Sequence, residues 1–131
     1  MNKLLFITML LGAGYSQCNE SNWEEYYPDM QYCNLSGANL YNEDLSGANL
    51  SEADLTFANL SNADLSGANL FYANLFEASL MNANLTGANL TITYLHWANL
   101  YGADLESADL EGAYLWGANL HDANLTSADF T

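Results

Sequence analysis

An all-β fold of very short strands and tight corners is predicted by two observations. Leucine stands at residue 35 and at every fifth position to 125, and Phe130 takes the twentieth such place. Alanine sits two residues before each of these centres, except at Cys33, Glu43 and Thr93, and Asn or Asp stands between, except at Ser79, Tyr94 and Tyr114. Five residues turn an α-helix by about 500°, so leucines at this spacing would spiral round every side and leave no apolar stripe. The Asn, Asp, Ser and Gly between them are also poor helix formers. In an extended segment, residues two apart face the same side. Each unit therefore turns one small and one large apolar residue inward and its Asn or Asp outward. The remaining two residues, often Ser-Gly or Thr-Gly, suit a tight bend.

Written out, SGANL, YGADL and TSADF are variants of one motif, and internal repetition of this kind decides the fold. The pattern resembles the pentapeptide-repeat family, whose motif is A-[DN]-L-x-x, over residues 33–131, twenty units without a gap. The resemblance implies a right-handed quadrilateral parallel β-helix, a solenoid of about five coils of four pentapeptides, in which residues twenty apart stack. With strands about 4.8 Å apart, such a rod would stand about 24 Å tall. Glu43 places a carboxylate where a small inward residue belongs, and burying it ionised would be costly. Either the first coil is distorted there or the side chain escapes to solvent.

Residues 1–16, MNKLLFITMLLGAGYS, have the order of a secretory signal peptide: one cation at Lys3, an apolar run from Leu4 to Leu11, then small residues. The run is too short to span a bilayer, which takes about 20 residues. Cleavage after Ser16 would leave Gln17 first. The alternative, a lipid anchor on Cys18, is disfavoured because Tyr15, Ser16 and Gln17 precede it where a small residue is expected. The expected location is therefore exported, periplasmic or secreted. Export implies an oxidising compartment, where Cys18 and Cys33 are candidates for a disulfide; the other reading is two thiols, with Cys33 filling a small core position. Residues 17–32, with Trp23, Tyr26, Tyr27 and Tyr32, are expected to fold over the first coil as an N-terminal cap, ahead of the repeat at 33–131.

Composition removes several functions. Sixteen Asp and Glu face one Lys and no Arg, a net charge of −15. Direct binding to nucleic-acid backbone, which takes Lys or Arg to displace counterions, is excluded. His96 and His121 fall on different faces, and with two early cysteines they make no metal constellation. A Glu77–His96 contact across one coil is the only acid–base pair the register suggests. A non-catalytic protein without cofactor is expected. The Asn-Leu-Ser/Thr triplets match the glycosylation pattern but are generated by the repeat itself.

Stacking by twenties gathers aromatic residues on the side of Leu35, Leu55, Leu75, Leu95 and Leu115. Its outward columns hold Phe57, Phe76, Tyr94, His96, Trp97, Tyr114 and Trp116, and around the preceding corner lie Phe71, Tyr72 and Ile92. A contiguous patch of this size often marks an interaction site. Stacked aromatics also stabilise neighbouring strands, and that reading stands beside the first. The opposite face, around Leu65, Leu85 and Leu105, is plain. Three readings of function follow. An exported scaffold would bind a protein partner, or itself, through this face. A carbohydrate surface would stack sugar rings on it. An acidic mimic of duplex DNA, as the family resemblance allows, would bind a type II topoisomerase such as gyrase. Against the last stand the leader and the scarcity of acids between residues 65 and 103, where Glu77 is alone. Phe130 marks an uncapped last coil, through which the resemblance implies a two-fold homodimer.

Overall fold

Backbone pairing follows the five-residue period. A computed structural model describes residues 18–131, so the leader assigned to 1–16 and its cleavage point lie outside the described residues. From Asp29↔Asn49 to Asp109↔Asp129, the parallel bridges of the rod join residues twenty apart. They form four columns, through Asn34, Asn39, Asp44 and Asn49, so one turn of chain takes four five-residue units. Each strand is a single bridged residue that donates backward and accepts forward. Asn74 N–H donates to Ala53 O at 2.9 Å, and Leu55 N–H donates to Asn74 O at 2.8 Å.

The inward side chains form the core of the tube. Leucines from Leu35 to Leu105 and the alanines between them are buried. After each leucine the chain turns a corner closed by the next alanine, as when Ala58 N–H donates to Leu55 O at 3.0 Å. All twenty corners from Tyr32 to Ser127 hold their second residue at positive φ. Glycine and asparagine tolerate this left-handed conformation; other L-residues are disfavoured in it.

The outward Asn and Asp residues serve both the corner and the ladder. Asn84 Oδ1 accepts the N–H of Thr86 at 3.1 Å, two residues on, which fixes the start of the bend. Asparagine amides also donate up the columns: Asn69 Nδ2 to Asn49 Oδ1 and Asn89 Nδ2 to Asn69 Oδ1, both at 3.2 Å. Aspartate can fill the first role but cannot donate in the second.

The three departures from alanine are each resolved locally. Glu43 is exposed, and its corner is loosened, with Glu43 N–H to Leu40 O at 3.3 Å. The side chain thus leaves the interior while its carbonyl still accepts from Asp64 N–H at 2.9 Å. Thr93 is buried, and its hydroxyl donates to Leu70 O at 2.7 Å, so its polar atom is satisfied inside the tube. Cys33 is bonded to Cys18.

That disulfide ties down the segment before the repeat. Asn19 bridges Asn34 at a spacing of fifteen, one unit shorter than the regular turn. Between them a short 3₁₀ turn, Trp23–Glu25, sets Trp23 and Tyr26 half-buried against the core. The Tyr27 hydroxyl donates to Ser46 O at 2.8 Å. The regular ladder begins earlier than the Ala-Asn-Leu motif does. Met30 is fully buried at the leucine position, Asp29 occupies the Asn position, and Met30 N–H donates to Asn49 O at 2.8 Å. Residues 29–32 therefore belong to the rod, and the cap proper ends before them.

Two predictions arise from the charges. No described residue is Lys or Arg, so the acids repel one another without internal compensation. Raising the salt concentration is expected to raise the melting temperature, and a flat or falling response would contradict this. The Asp44 carboxyl is held below its ordinary 3.8 by hydrogen bonds from the Ser46 side chain and then the Ser46 N–H. The Thr131 N–H and then its hydroxyl hold Asp129 low in the same way. Because these values are depressed on folding, the contribution of both corners is intact above pH 3.8 and is lost as pH falls through the lower folded values. The Ser46 and Thr131 amide resonances should therefore titrate below pH 3.8; midpoints at or above it would contradict the assignment.

Candidate functional site: the aromatic face

The face built on Leu35, Leu55, Leu75 and Leu95 carries three groups of rings in contact. Tyr94 and Tyr114, twenty apart, stack at 4.9 Å and 4°. Tyr72 meets Tyr94 edge-on at 5.4 Å, and His96 stacks on Tyr114 at 5.7 Å. Phe71 adjoins Tyr72, and Phe57 meets Phe76 edge-on at 5.9 Å. Trp97 and Trp116 form a third group, with centroids 4.7 Å apart and planes at 72°. Thr56, Tyr72, Asn74, Phe76, Tyr94 and His96 line a shallow open depression of ≈ 540 Å³. Of the ten residues the sequence assigns to this face, Phe57, Phe71, Tyr72, Trp97, Tyr114 and Trp116 are exposed, whereas Phe76, Ile92, Tyr94 and His96 are half-buried beneath their neighbours.

The bulky residues at the corners stand in an unfavourable backbone conformation. Phe57, Tyr72, Ile92 and Trp97 have φ of 59°, 58°, 56° and 60°. With Tyr32, all of them lie on the two corner columns that border this face. The other two columns carry Asn42, Asn62, Asn82, Gly102 and Asp122, and Gly47, Gly67, Gly87, Ser107 and Ser127. A left-handed conformation costs about 1–2 kcal/mol for an ordinary L-residue. An aromatic pair returns about 0.5–1.5 kcal/mol. The two terms roughly cancel, so stability alone does not select large residues at these corners.

The face gives up a second device as well. Asn or Asp caps the corner everywhere except at Ser79, Tyr94 and Tyr114, and both tyrosines are here. A phenol has no amide or carboxylate oxygen to accept the N–H two residues on. Ser79 instead shares a hydrogen bond with Ser61 at 2.8 Å on another column.

Gly117 is a position on this face that the sequence reading did not single out. A Cβ there would stand 2.5, 2.7 and 2.8 Å from Trp97 Cε3, Cδ2 and Cζ3. Near-equal distances to three successive ring atoms mean that the indole lies face-down over this glycine. The signal was available in the register, since Gly117 follows Trp97 by twenty. Gly117→Ala combines that clash with φ of +75°. It is expected to lift Trp97 off the rod and shift the tryptophan fluorescence maximum, while the far-ultraviolet spectrum stays unchanged. An unaltered emission spectrum would contradict the packing.

Acid–base chemistry finds no arrangement here. Glu77 meets His96 through the backbone, its N–H donating to His96 O at 3.0 Å, and the imidazole stacks on Tyr114 instead of pairing with the carboxylate. His121 pairs with the adjacent Asp122 at 3.0 Å and stacks on Tyr101, away from this face. The hydrogen bond with Tyr72, then desolvation, holds the Tyr94 phenol above its ordinary value of 10.0. Among the described residues no three His, Cys, Asp or Glu side chains gather in a way that could hold a metal ion. Nor is any helix among them long and apolar enough to cross a membrane.

A four-sided stack of five-residue units with a leucine core defines a repeat scaffold. The family described as Pentapeptide repeats (8 copies) matches residues 29–67, 68–106 and 103–131, and the chain belongs to this family. Its members are generally non-catalytic scaffolds with the right-handed quadrilateral β-helix fold. A pentapeptide repeat protein of the Arabidopsis thaliana thylakoid lumen is 33% identical, with a TM-score of 0.58, over 75% of this chain and 65% of its own. HetL, a pentapeptide repeat protein involved in heterocyst differentiation regulation in Nostoc sp. strain PCC 7120, is 39% identical over 78% of this chain and 51% of its own, with a TM-score of 0.42. Rfr23 from Cyanothece 51142 is 43% identical over 79% and 64%, with a TM-score of 0.47. The chain thus spans about half to two thirds of the length of these solved relatives. No curated protein matches it.

Proposed function

We propose that this protein is an exported, non-catalytic scaffold of five stacked coils whose aromatic face docks a protein partner. The observation that carries this reading is the confinement of bulky left-handed residues to the two corners bordering one face. Seven of the nine left-handed corners that hold neither Gly, Asn nor Asp border this face, and strain concentrated where glycine or asparagine would serve the fold as well points to use of the surface. Export is supported by the Cys18–Cys33 disulfide, a bond that persists in oxidising compartments. Mass spectrometry of the exported fraction should find a chain beginning at Gln17; an uncleaved cytoplasmic chain would contradict export.

The tyrosine ladder favours a protein over a sugar ring. Tyr94 and Tyr114 each cover one face of the other, so the ladder leaves fewer open ring faces for sugar stacking. A DNA-mimic role gains nothing from this face, whose centre is aromatic. A second copy of the chain is a further partner. Leu125 and Phe130, inward positions of the last described coil, are 37% and 48% exposed and offer apolar contact area. Sedimentation at micromolar concentration tests that contact; a strict monomer removes it. The docking face is tested by affinity capture from the exported fraction with Trp97→Ala/Trp116→Ala as control. Capture should be lost while the melting curve is retained, and capture that survives both changes counts against the face.

A further inference from the structure

We infer that the occupant of the aromatic face is a basic segment, and that the Trp97–Trp116 corner receives an arginine or lysine side chain from it. The inference rests on the docking reading above and adds the chemistry of the partner. Both indoles are at least half exposed, Trp97 at 50% and Trp116 at 69%, and their planes meet at 72°. Trp97 is laid flat over Gly117, which fixes its ring in place before any partner arrives. An indole face attracts a cation through its quadrupole, tryptophan most strongly of the aromatic residues. The described chain supplies no cation for these faces, since it holds neither Lys nor Arg. With the leader and its Lys3 removed, as the docking reading has it, a Lys or Arg side chain reaching them comes from a partner.

The acids round the rings point the same way. Three carboxylates border the aromatic centre on neighbouring turns, and the backbone ladder fixes each one's place. Glu52 N–H donates to Phe71 O at 2.9 Å, Glu77 N–H to His96 O at 3.0 Å, and Ile92 N–H to Glu111 O at 2.9 Å. All three glutamates are exposed. An aromatic centre with an acidic rim, on a molecule of net charge −15, is complementary to a segment carrying several cations among apolar residues. Like-charge repulsion would turn away an acidic segment, and a neutral one would leave the carboxylates without partners.

The test uses the mature chain carrying Trp23→Phe, so that Trp97 and Trp116 alone report. The probe is a short peptide of alternating arginine and leucine, compared with the same peptide carrying citrulline, a neutral side chain of nearly the same shape. The arginine peptide should perturb the tryptophan emission and bind more tightly than the citrulline one. Trp97→Phe/Trp116→Ala, measured by calorimetry, should weaken arginine-peptide binding about fivefold, as loss of one partly exposed cation–π contact and weakening of the other imply. Glu52→Gln/Glu77→Gln/Glu111→Gln should weaken it too while leaving both rings in place, and so serves as the arm that does not depend on the tryptophans for folding. Absence of arginine-peptide binding overturns the inference. If both peptides bind equally and both lose affinity in the tryptophan variant, docking stands and the cationic partner falls. If the arginine peptide binds regardless of the tryptophan change, attraction to the overall charge is sufficient, and both the corner and the docking face fall.

Discussion

Shortening Leu75 to alanine is expected to destabilise the rod by about 2–5 kcal/mol, the range for deleting a buried leucine where the surroundings collapse only in part. Leu75 is completely buried in the middle of the tube. Collapse there is hindered, because the backbone is held by ladder bonds such as Leu75 N–H to Tyr94 O at 2.8 Å and Asn74 N–H to Ala53 O at 2.9 Å. The wall cannot move in to fill the void without breaking them. Urea unfolding read by circular dichroism gives the value. The same change at Leu125, already 37% exposed, should be clearly milder. Equal losses at the two sites would mean that burial in the tube is not what holds the coils together.

Removing the disulfide is the other large effect. Cys18 and Cys33 close a loop of fifteen residues, and such a bond contributes about 3 kcal/mol in the chain-entropy model. Contacts in a stacked repeat are between neighbours, so the loss falls on the cap first. In Cys18→Ser/Cys33→Ser, Trp23 and Tyr26 should leave the core while the ladder from Asp29 onward persists. Trp23 fluorescence is then expected to change at a lower temperature than the circular dichroism of the rod. Coincident and unchanged transitions would show that the cap is held by its own packing and not by the bond.

Much of this molecule is legible in the amino-acid sequence, for a physical reason. A period of five repeated twenty times marks each unit as a short strand and a corner with its leucine inward; that four units make one coil was implied by the resemblance to the pentapeptide-repeat family, and stacking by twenties then assigns each outward residue to a column. The aromatic set follows from that stacking, and the structure brings Tyr94 against Tyr114 and Trp97 against Trp116. Three features were not legible. Met30 was hidden because Pro28 and Met30 replace alanine and leucine in its unit, and its burial, the Asp29↔Asn49 bridge and the backbone bond to Asn49 reveal the role. The satisfaction of Thr93 depends on the direction of one hydroxyl toward Leu70, on the preceding turn. The left-handed corners are a backbone property. The motif marks positions such as Gly37 and Gly47 as bends but does not say that Phe57 and Trp97 must adopt the same φ. Glu77 and His96 show the converse limit, since neighbouring columns brought their backbones together without joining their side chains.

The one-sided strain bears on what the aromatic residues are for. If they served the fold, returning them to the consensus of the plain faces would weaken the rod. If they serve a partner, the same change would relieve the corners and restore the missing caps. The direct measurement is the melting temperature of one variant, Phe57→Asn, Tyr72→Asn, Trp97→Asn, Tyr94→Asn and Tyr114→Asn together. A melting temperature at or above that of the natural sequence, with partner capture abolished, is the expected result. A melting temperature well below it would show that the rings hold the coils together, and would contradict a face kept for binding.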